Sequence, residues 1–337
     1  MKSPRNSSLF VDKASLFAAC PLPSKECYKS IVTSEPILRL GTRGSPLALA
    51  QANLVAGALA QLPGCPPVRL ITVQTLGDRV QDRPLAEIGG KALWTKELDR
   101  ALIDGEIDFA VHSMKDVETR LAPGIALAAV LPRADPRDRL VGADSLAALP
   151  AGAVVGSSSP RRVAQLLYRR PDLAAVSLRG NVETRLRAIA EARVAATFLA
   201  AAGLDRLGID AGVALPLESW LPAAAQGIVG MTCRDNDDRA KALLAAVNHG
   251  PSLVALRAER AVLEGLGGSC HTAVAVHAVP GHAIDIRAEL LSPDGRDCVT
   301  AGVSGSGDPR ELGLQLAGRL LARATSSILA SLEKASV

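Results

Sequence analysis

The heptapeptides SPLALAQ (residues 45–51) and SPRRVAQ (residues 159–165) decide the fold of this chain. Each follows a short apolar run, typical of a β-strand, and a loop rich in glycine and serine, and each opens a helical pattern. Serine is a preferred N-cap, and proline suits the first helical position, where no backbone N–H is needed. The repeat therefore predicts two similar strand–loop–helix units.

Both predicted helices direct free N–H groups and a positive dipole end at their loops, which is an arrangement that binds anions. Two independent, well-capped helices are the plainer interpretation of the same repeat. In the second heptapeptide, however, two arginines follow the serine and the proline. These arginines favour the anion-binding interpretation, because guanidinium groups pair well with carboxylates and phosphates.

Strand and helix signals alternate outward from both heptapeptides, which predicts an α/β fold with largely parallel sheets. The first run covers residues 37–131, the second covers residues 153–199, and a linker at 133–138 separates them. A third run predicts a small α+β module, composed of a helix at 251–266, strands at 284–290 and 298–303, and one closing helix at 308–332.

At 337 residues the chain is too long for a single ordinary core, and we expect three domains. The predicted boundaries are 36–132 with 227–247 for a first α/β domain, 136–223 for a second, and 248–337 for an α+β domain. Residues 1–35 lack periodicity and predict a disordered extension, with a transit peptide as the alternative. We do not expect a signal peptide, because the apolar stretch there is short and follows Asp12 and Lys13 directly.

The composition excludes several classes of protein. Aromatic residues make up only 2% of the chain, which argues against a protein that stacks single-stranded nucleic acid on aromatic rings. The net charge of +4 comes from dispersed arginines, which suit small anions better than a DNA duplex. No apolar run reaches the ~18–20 residues of a membrane helix. The six cysteines show no metal-ligand spacing, so we expect free thiols in a reducing cytoplasm and no metal.

The stretch VHSMKDV at residues 111–117 follows a short apolar strand. Lys115 and Asp116 are therefore expected at the carboxyl edge of a sheet, where open α/β sheets bind ligands. A surface ion pair is the plainer interpretation of such neighbours. We expect His112 to be a buried, hydrogen-bonded histidine rather than a base.

Arginines recur at the loops that the two heptapeptides define. A helix N-terminus ordinarily favours acidic side chains, so arginines in its first turn suggest that a bound carboxylate or phosphate completes the site. For any one of them, a solvated helix face is the alternative. The candidate anion-binding residues are Arg43, Lys91, Arg161, Arg162, Arg179 and Arg185.

Cys270 lies in the stretch LGGSCHT at residues 266–272, directly after a predicted helix. A single cysteine is usually an inert small hydrophobic residue. A glycine- and serine-rich loop favours an exposed thiol that can react. Cys270 and His271 supply too few ligands for a zinc site.

Six blocks together resemble the porphobilinogen deaminase (hydroxymethylbilane synthase) family in their order and spacing, over about residues 36–335. The blocks are GTRGSPLA at 41–48, VHSMKDV at 111–117, GSSSPRR at 156–162, LRGNV at 178–182, residues 200–208 and QG at 226–227. The resemblance implies three domains. The first two resemble periplasmic binding proteins with the active cleft between them, and the third carries the cofactor cysteine.

The resemblance implies a transferase of tetrapyrrole and haem biosynthesis, which condenses four porphobilinogen molecules head to tail into hydroxymethylbilane and releases ammonia. It also implies a dipyrromethane cofactor, made from the substrate and joined to Cys270 by a thioether. Loss of ammonia leaves an azafulvene cation. Asp116, the implied catalytic residue, stabilises this cation with its carboxylate and then assists proton removal.

Each pyrrole carries an acetate and a propionate, so the implied site neutralises carboxylates. The implied cofactor-binding residues are Cys270, Lys115, Ser157, Ser159, Arg161, Arg162, Arg179, Gly180 and Arg185. The implied substrate-binding residues are Arg43, Ser45, Lys91, Arg206 and Gln226. The chain departs from some relatives at Leu76 and Glu87, where they have basic residues, and it lacks a proline that many have after Cys270.

We therefore expect porphobilinogen as the small-molecule partner, a monomer, and neither nucleic acid nor a membrane as a partner. A small-anion receptor is the strongest rival, because two similar α/β halves with capped loops also describe periplasmic solute receptors. Such a receptor needs an export signal and has no use for Cys270. A nucleic-acid-binding protein is a third alternative, disfavoured by the dispersed charge and the scarcity of aromatic residues.

Overall fold

The computed structural model describes residues 37–74, 95–267 and 272–336. Several features predicted from the sequence lie outside the described residues: the extension at 1–35, Leu76, Glu87, Lys91 and Cys270. The described strands are β1 (Leu38–Thr42), β2 (Val68–Thr72), β3 (Phe109–Ser113), β4 (Ile125–Val130), β5 (Asp138–Val141), β6 (Val154–Gly156), β7 (Ala174–Val176), β8 (Ala196–Ala200), β9 (Val213–Ala214), β10 (Val229–Arg234), β11 (Val274–Pro280), β12 (Ile284–Leu291) and β13 (Cys298–Gly305).

The helices alternate with these strands through most of the described chain. They are α1 (Pro46–Ala60), α2 (Lys96–Ile103), α3 (Pro160–Arg169), α4 (Val182–Ala190), α5 (Ala201–Arg206), α6 (Asp238–Ala245), α7 (Gly250–Gly265), α8 (Pro309–Leu321) and α9 (Ser326–Ser336). A 3-10 turn at Met114–Asp116 follows β3. The predicted α/β fold with a small C-terminal α+β module is confirmed.

The first two sheets share one topology. Their strand orders are β2-β1-β3-β10-β4 and β7-β6-β8-β5-β9, so β6, β7 and β8 occupy the places of β1, β2 and β3. Helix α1 follows β1, and helix α3 follows β6 at the equivalent position. The two heptapeptides thus begin equivalent helices in two equivalent lobes, as their sequence similarity predicts.

Both sheets are mixed, but four of the five strands in each run in the same direction, which agrees with the expectation of largely parallel sheets. Strands β1, β2 and β3 run parallel, as do β6, β7 and β8. Strand β10 runs antiparallel to its neighbours in the first sheet, and β5 does so in the second. These are the strands that enter each lobe from the other one. Their direction is therefore set by the crossing chain and not by a βαβ unit.

Two crossing segments, residues 131–137 and 221–228, run side by side between the lobes. The Ala134 N–H donates to the Gly227 carbonyl at 3.2 Å. Gln226 Nε2 donates to the Pro136 carbonyl at 2.7 Å. Gly227 has a φ of 87°, and a Cβ there would lie 2.5 Å from the Ala134 oxygen. The close approach of the two segments therefore requires glycine at this position.

The third sheet has the order β11-β12-β13 and packs against α7 and α8. The sequence predicted one closing helix at 308–332, and this prediction is wrong, because α8 ends at Leu321 and α9 begins at Ser326. Thr325 separates them: its hydroxyl donates to Asp297 Oδ2 at 2.8 Å and accepts from the Ile328 N–H at 3.4 Å. A tertiary hydrogen bond and a local cap thus interrupt a continuous helical pattern.

Glu259 of α7 joins both crossing segments to the C-terminal sheet. Its fully buried carboxylate pairs with Arg133 at 2.6 Å. It also accepts the N–H groups of Ala225 at 2.5 Å and Ala278 at 2.8 Å. Ala225 adopts a φ of 63°, a left-handed conformation that alanine rarely takes. One carboxylate therefore satisfies donors from three parts of the chain and helps to hold a strained residue in place.

We expect Glu259→Gln to lower the free energy of unfolding by about 3–5 kcal/mol, because the amide keeps the shape but leaves the Arg133 charge without a partner. Chemical denaturation of the variant and the wild-type protein measures the difference. Glu264→Gln is the matched control on the same helix. Glu264 pairs with Arg310 at 3.0 Å on the surface, and its loss should cost at most about 1 kcal/mol. Equal effects of both substitutions would contradict the role given to Glu259.

Candidate anion-binding site

The turn after β3 carries Lys115 and Asp116 at the carboxyl edge of the first sheet, where the sequence places them. Met114 anchors the turn: its side chain is buried, and its N–H donates to the Ile228 carbonyl at 3.0 Å. Lys115 and Asp116 are half-buried. The turn therefore presents an ammonium and a carboxylate side by side from a fixed backbone.

Several charged groups of both lobes act on the Lys115 ammonium. Burial lowers the pKa of its ammonium to about 8, and the charges of Arg162 and Arg161 act in the same direction. The carboxylates of Asp116 and Asp138 oppose this shift. Lys115 is thus cationic at neutral pH and loses its charge as the pH rises through about 8. A bound carboxylate would favour the charged form and raise this pKa again.

Helix α3 brings Arg161 and Arg162 to the same region from the second lobe. Ser159 caps the helix by accepting the Arg162 N–H at 3.4 Å, and Pro160 occupies the first turn, as the sequence predicts. Both arginine side chains are more than nine-tenths buried. They pair with Asp138 at 3.0 Å and 2.7 Å, respectively.

Asp138 is the residue that sequence reasoning missed. The sequence pattern places it in the linker at 133–138, whereas the structure shows a fully buried carboxylate that also accepts from Trp220 Nε1 at 2.9 Å and Gln226 Nε2 at 2.8 Å. Burial alone would raise the pKa of this carboxyl, but the two guanidinium groups hold it well below its usual range. The arginines at the helix N-terminus therefore have a partner within the protein. Each still leaves its buried Nε without a hydrogen bond to any described residue.

The loop at 179–181 and the helix α4 that follows it add one cation each, Arg179 and Arg185. Gly180 has a φ of 108°, and Asn181 caps α4 by accepting the Thr184 N–H at 2.9 Å. The guanidinium of Arg185 turns back, and its Nε donates to the Gly180 carbonyl at 3.1 Å. Arg179 Nη1 is buried, and among the described residues it has no hydrogen-bond partner.

Arg185 belongs to the second lobe, and the charge of Asp116 in the first lobe acts on it. Burial, together with the nearby charges of Arg162 and Arg179, lowers the pKa of its guanidinium to about 10, and the charge of Asp116 opposes this shift. The described cations of this region are Lys115, Arg161, Arg162, Arg179 and Arg185, and the described carboxylates whose charges act on them are Asp116, Asp138 and Glu289. Five positive charges against three negative ones leave a surplus that a ligand with several carboxylates or phosphates would neutralise.

Ser45, Arg43 and His112 lie in the first lobe. The Ser45 hydroxyl caps α1 by accepting the Ala48 N–H at 3.3 Å, so its own hydrogen remains available to a ligand. His112 is buried, and its Nε2 lies 2.9 Å from Thr232 Oγ1. Burial lowers the pKa of His112 to about 4, and the charge of Arg43 adds to the effect. His112 is therefore a neutral, hydrogen-bonded histidine, as expected.

The other sequence-predicted residues divide between the site and the crossing segments. Ser157 is buried beside the cap of α3 and accepts the Ser159 N–H at 3.2 Å. Arg206 donates to the Gly227 carbonyl at 2.8 Å, and the Gln226 amide donates to Pro136 and Asp138. The last two thus bond to the crossing segments. Lys91 and Cys270 lie outside the described residues.

Among the described residues, no cluster of histidine, cysteine, aspartate and glutamate side chains could hold a metal ion. None of the described helices is both long and apolar enough to cross a membrane. The fold and the site together define a two-lobed α/β protein with a cluster of cationic side chains around one half-buried carboxylate on a sheet edge.

The chain belongs to the porphobilinogen deaminase family. Residues 38–242 match the family described as "Porphobilinogen deaminase, dipyromethane cofactor binding domain", and residues 253–322 match "Porphobilinogen deaminase, C-terminal domain". The porphobilinogen deaminase of Sphingopyxis alaskensis is 49% identical over 310 residues, which cover 88% of this chain and 97% of that protein.

Two other relatives show how widely the similarity extends. The porphobilinogen deaminase of Syntrophotalea carbinolica is 46% identical and covers 89% of this chain and 97% of its own length. The chloroplastic enzyme of Oryza sativa is 47% identical over 77% of this chain and 75% of that protein. Among solved structures, the methionine-binding protein MetQ covers 66% of this chain and 94% of its own, with a TM-score of 0.41 and 12% identity.

The depressed pKa of His112 predicts how stability depends on pH. Its usual value is 6.5 and the folded value is about 4, so between these values the unfolded chain binds a proton that the folded protein excludes. The free energy of unfolding therefore falls as the pH falls through this window, by up to about 1.4 kcal/mol per pH unit for one such group. His112→Gln should flatten this slope when denaturation midpoints are compared at pH values between about 6.5 and 4.5.

His282→Gln is the control for this measurement, because His282 is exposed. It should leave the pH slope of the wild-type protein unchanged. If the His112 variant keeps the full slope, His112 titrates normally in the folded state and the assignment of a neutral, buried ring is wrong.

Proposed function

We propose that this protein catalyses the stepwise head-to-tail condensation of four porphobilinogen molecules to hydroxymethylbilane, with release of ammonia. The observation that carries the proposal is the cation surplus around Asp116, which lies on a rigid turn within the electrostatic reach of Lys115 and Arg185. Each ring of substrate and product brings two carboxylates. A growing chain of such rings needs many more cations than carboxylates around it.

The described residues fit a dipyrromethane. Its carboxylates suit the unpartnered Arg179 Nη1, the free Nε of Arg161 and Arg162, and the hydroxyl hydrogens of Ser157 and Ser159. When bound, this group supplies a free pyrrole carbon on which the first ring is added. We assign its attachment to Cys270, at the end of the chain segment that follows α7, and its carboxylate contacts to these residues together with Lys115, Gly180 and Arg185.

Asp116 has the catalytic role in this proposal. Loss of ammonia from porphobilinogen leaves a cation, and a preformed carboxylate stabilises positive charge without reorganising at the moment of reaction. The same carboxylate then accepts a proton once the carbon–carbon bond has formed. Arg43, Ser45, Lys91, Arg206 and Gln226 are assigned to the incoming substrate. His112 is buried, with its Nε2 2.9 Å from Thr232 Oγ1, so we assign the role of proton acceptor to Asp116 and not to His112.

The proposed domains are residues 36–132 with 227–247, residues 136–223, and residues 248–337. The membership of the three sheets supports these boundaries, since β1 to β4 and β10 form one sheet, β5 to β9 another and β11 to β13 the third. We further propose that the enzyme works as a monomer in the cytoplasm. Neither a nucleic acid nor a membrane is part of the proposal.

Asp116→Asn keeps the shape of the side chain and removes its negative charge. We expect near-complete loss of porphobilinogen consumption with folding retained, because the cation then has no carboxylate opposite it. Asp144→Asn, at an exposed position of the second lobe, is the matched control and should keep the wild-type rate. An Asp116→Asn protein that still works at about a tenth of the wild-type rate would exclude the assigned role.

The attachment at Cys270 predicts the mass of the purified protein. Denatured wild-type protein should be heavier than its sequence by two pyrrole units, and a thioether should survive dithiol reductants. Cys270→Ala should lack both the added mass and nearly all activity.

Cys233→Ala and Cys298→Ala serve as controls for the mass measurement. Cys233 is buried in the first lobe, and burial raises the pKa of its thiol. Burial also raises the pKa of the Cys298 thiol, to about 11. Both thiols are therefore poor nucleophiles at neutral pH, and both variants should keep the adduct. Peptide mapping of the adduct to another cysteine would overturn the assignment.

A further inference from the structure

Helix α7 contacts the segment that carries Asp116. Leu256 belongs to a buried cluster with Met114 and Val117, and Leu253 packs against the same cluster. Arg260 follows Leu253 and Leu256 at helical spacing and lies on the same face. The opposite face of α7, with Ala255, Ala258 and Val262, packs into the C-terminal core. The helix is thus fixed on one side to the C-terminal domain and on the other to the Asp116 turn.

Arg260 binds three successive carbonyl groups directly after that turn. Its Nη1 donates to Val117 at 3.2 Å, and its Nη2 donates to Thr119 at 2.7 Å and to the carbonyl of Glu118. Residues 117–119 belong to no helix or strand. A planar guanidinium presents its donors in a fixed fork, so it can hold several carbonyls of an irregular segment in one arrangement.

The turn is therefore held from two sides. On one side the Met114 N–H bonds to Ile228 in a crossing segment, and on the other Arg260 holds the carbonyls of residues 117–119. Between these anchors, Val117 closes the turn by donating its N–H to the Met114 carbonyl at 3.4 Å. Asp116 lies within this braced stretch. Loss of the Arg260 contacts would free the backbone that aims its carboxylate.

We propose that Arg260 is a positioning residue for Asp116, which couples the catalytic turn to the helix that leads into the Cys270 segment. This inference rests on the proposed function. Helix α7 packs on the C-terminal core through its opposite face, so one rigid element connects the catalytic turn to the C-terminal domain. Burial lowers the pKa of Arg260 and Glu118 opposes this shift, but the role stands on the three hydrogen bonds.

The test compares Arg260→Met and Arg260→Lys with Arg257→Met, an exposed arginine on the same helix. Arg260→Met should lower kcat about ten- to hundredfold, since small misplacements of a catalytic group have effects of this size. KM for porphobilinogen and the mass of the attached dipyrrole should change little, because the Arg260 guanidinium donates to the backbone carbonyls of residues 117–119. Arg260→Lys should recover part of the lost rate, and Arg257→Met should behave like the wild-type protein.

A double-mutant cycle separates positioning from a general structural role. If Arg260 acts through Asp116, removing Arg260 should lower kcat much less in the Asp116→Glu background, where the carboxylate is already misplaced. The combined variant should then be only about two- to threefold slower than Asp116→Glu alone. Multiplicative effects of the two substitutions on kcat would overturn the inference, and so would a wild-type kcat in Arg260→Met.

Thermal unfolding of each variant confirms that rates are compared in folded protein. If Arg260→Met does not fold, Arg260→Lys carries the test in the same cycle, with a smaller loss of kcat expected. A wild-type protein that neither consumes porphobilinogen nor carries the added mass refutes the proposed function instead. If only the positioning role is wrong, the wild-type protein is active and carries the added mass, and the Arg260 variants keep the wild-type kcat.

Discussion

One buried carboxylate, that of Asp138, links the fold to the site. It begins β5 just after the first crossing segment, and it pairs with Arg161 and Arg162 of α3 at 3.0 Å and 2.7 Å. It also accepts a hydrogen bond from Gln226 in the second crossing segment. Two buried guanidinium groups would be very costly without this partner. Asp138 therefore fixes both the orientation of the two site arginines and the junction of the lobes.

Helix α7 also uses charged side chains, those of Glu259 and Arg260, to hold segments that are distant in sequence. The carboxylate of Glu259 accepts from Arg133 and from two backbone N–H groups, whereas the guanidinium of Arg260 donates to three backbone carbonyls. These adjacent residues of opposite charge thus contact different segments: Glu259 contacts the crossing segments and the C-terminal sheet, and Arg260 contacts the backbone after the Asp116 turn. A buried charge is stable only when its hydrogen-bond partners are well placed. The Glu259 carboxylate and the Arg260 guanidinium therefore stabilise the fold and also fix the position of the backbone groups that they bind. The C-terminal module is in this way attached to the junction and to the Asp116 turn at once.

Local rules predicted the parts of the structure that depend on local chemistry. The caps at Ser45 and Ser159, the helices they begin and the turn bearing Asp116 all follow from short patterns in the sequence. Strands β5 and β10 did not, because their direction comes from the path of the chain between lobes. Asp138 was overlooked since an aspartate in a polar linker resembles a solvated residue, and only tertiary burial distinguishes it. The break at Thr325 likewise depends on Asp297, which is distant in sequence.

The same burial divides the proposed site residues into two groups. Arg161 uses Nη1 to donate to Leu221 and to pair with Asp138, and Arg162 donates to Phe198 and pairs with Asp138. The buried Nε of each has no hydrogen-bond partner among the described residues. Arg179 instead keeps a buried terminal nitrogen without a described partner, and Lys115 has a pKa that a carboxylate ligand would raise. The first group is oriented before any ligand arrives, which lowers the entropic cost of binding. In the proposed site, the first group would set the geometry of binding, and the charge of the second group would attract the polyanion.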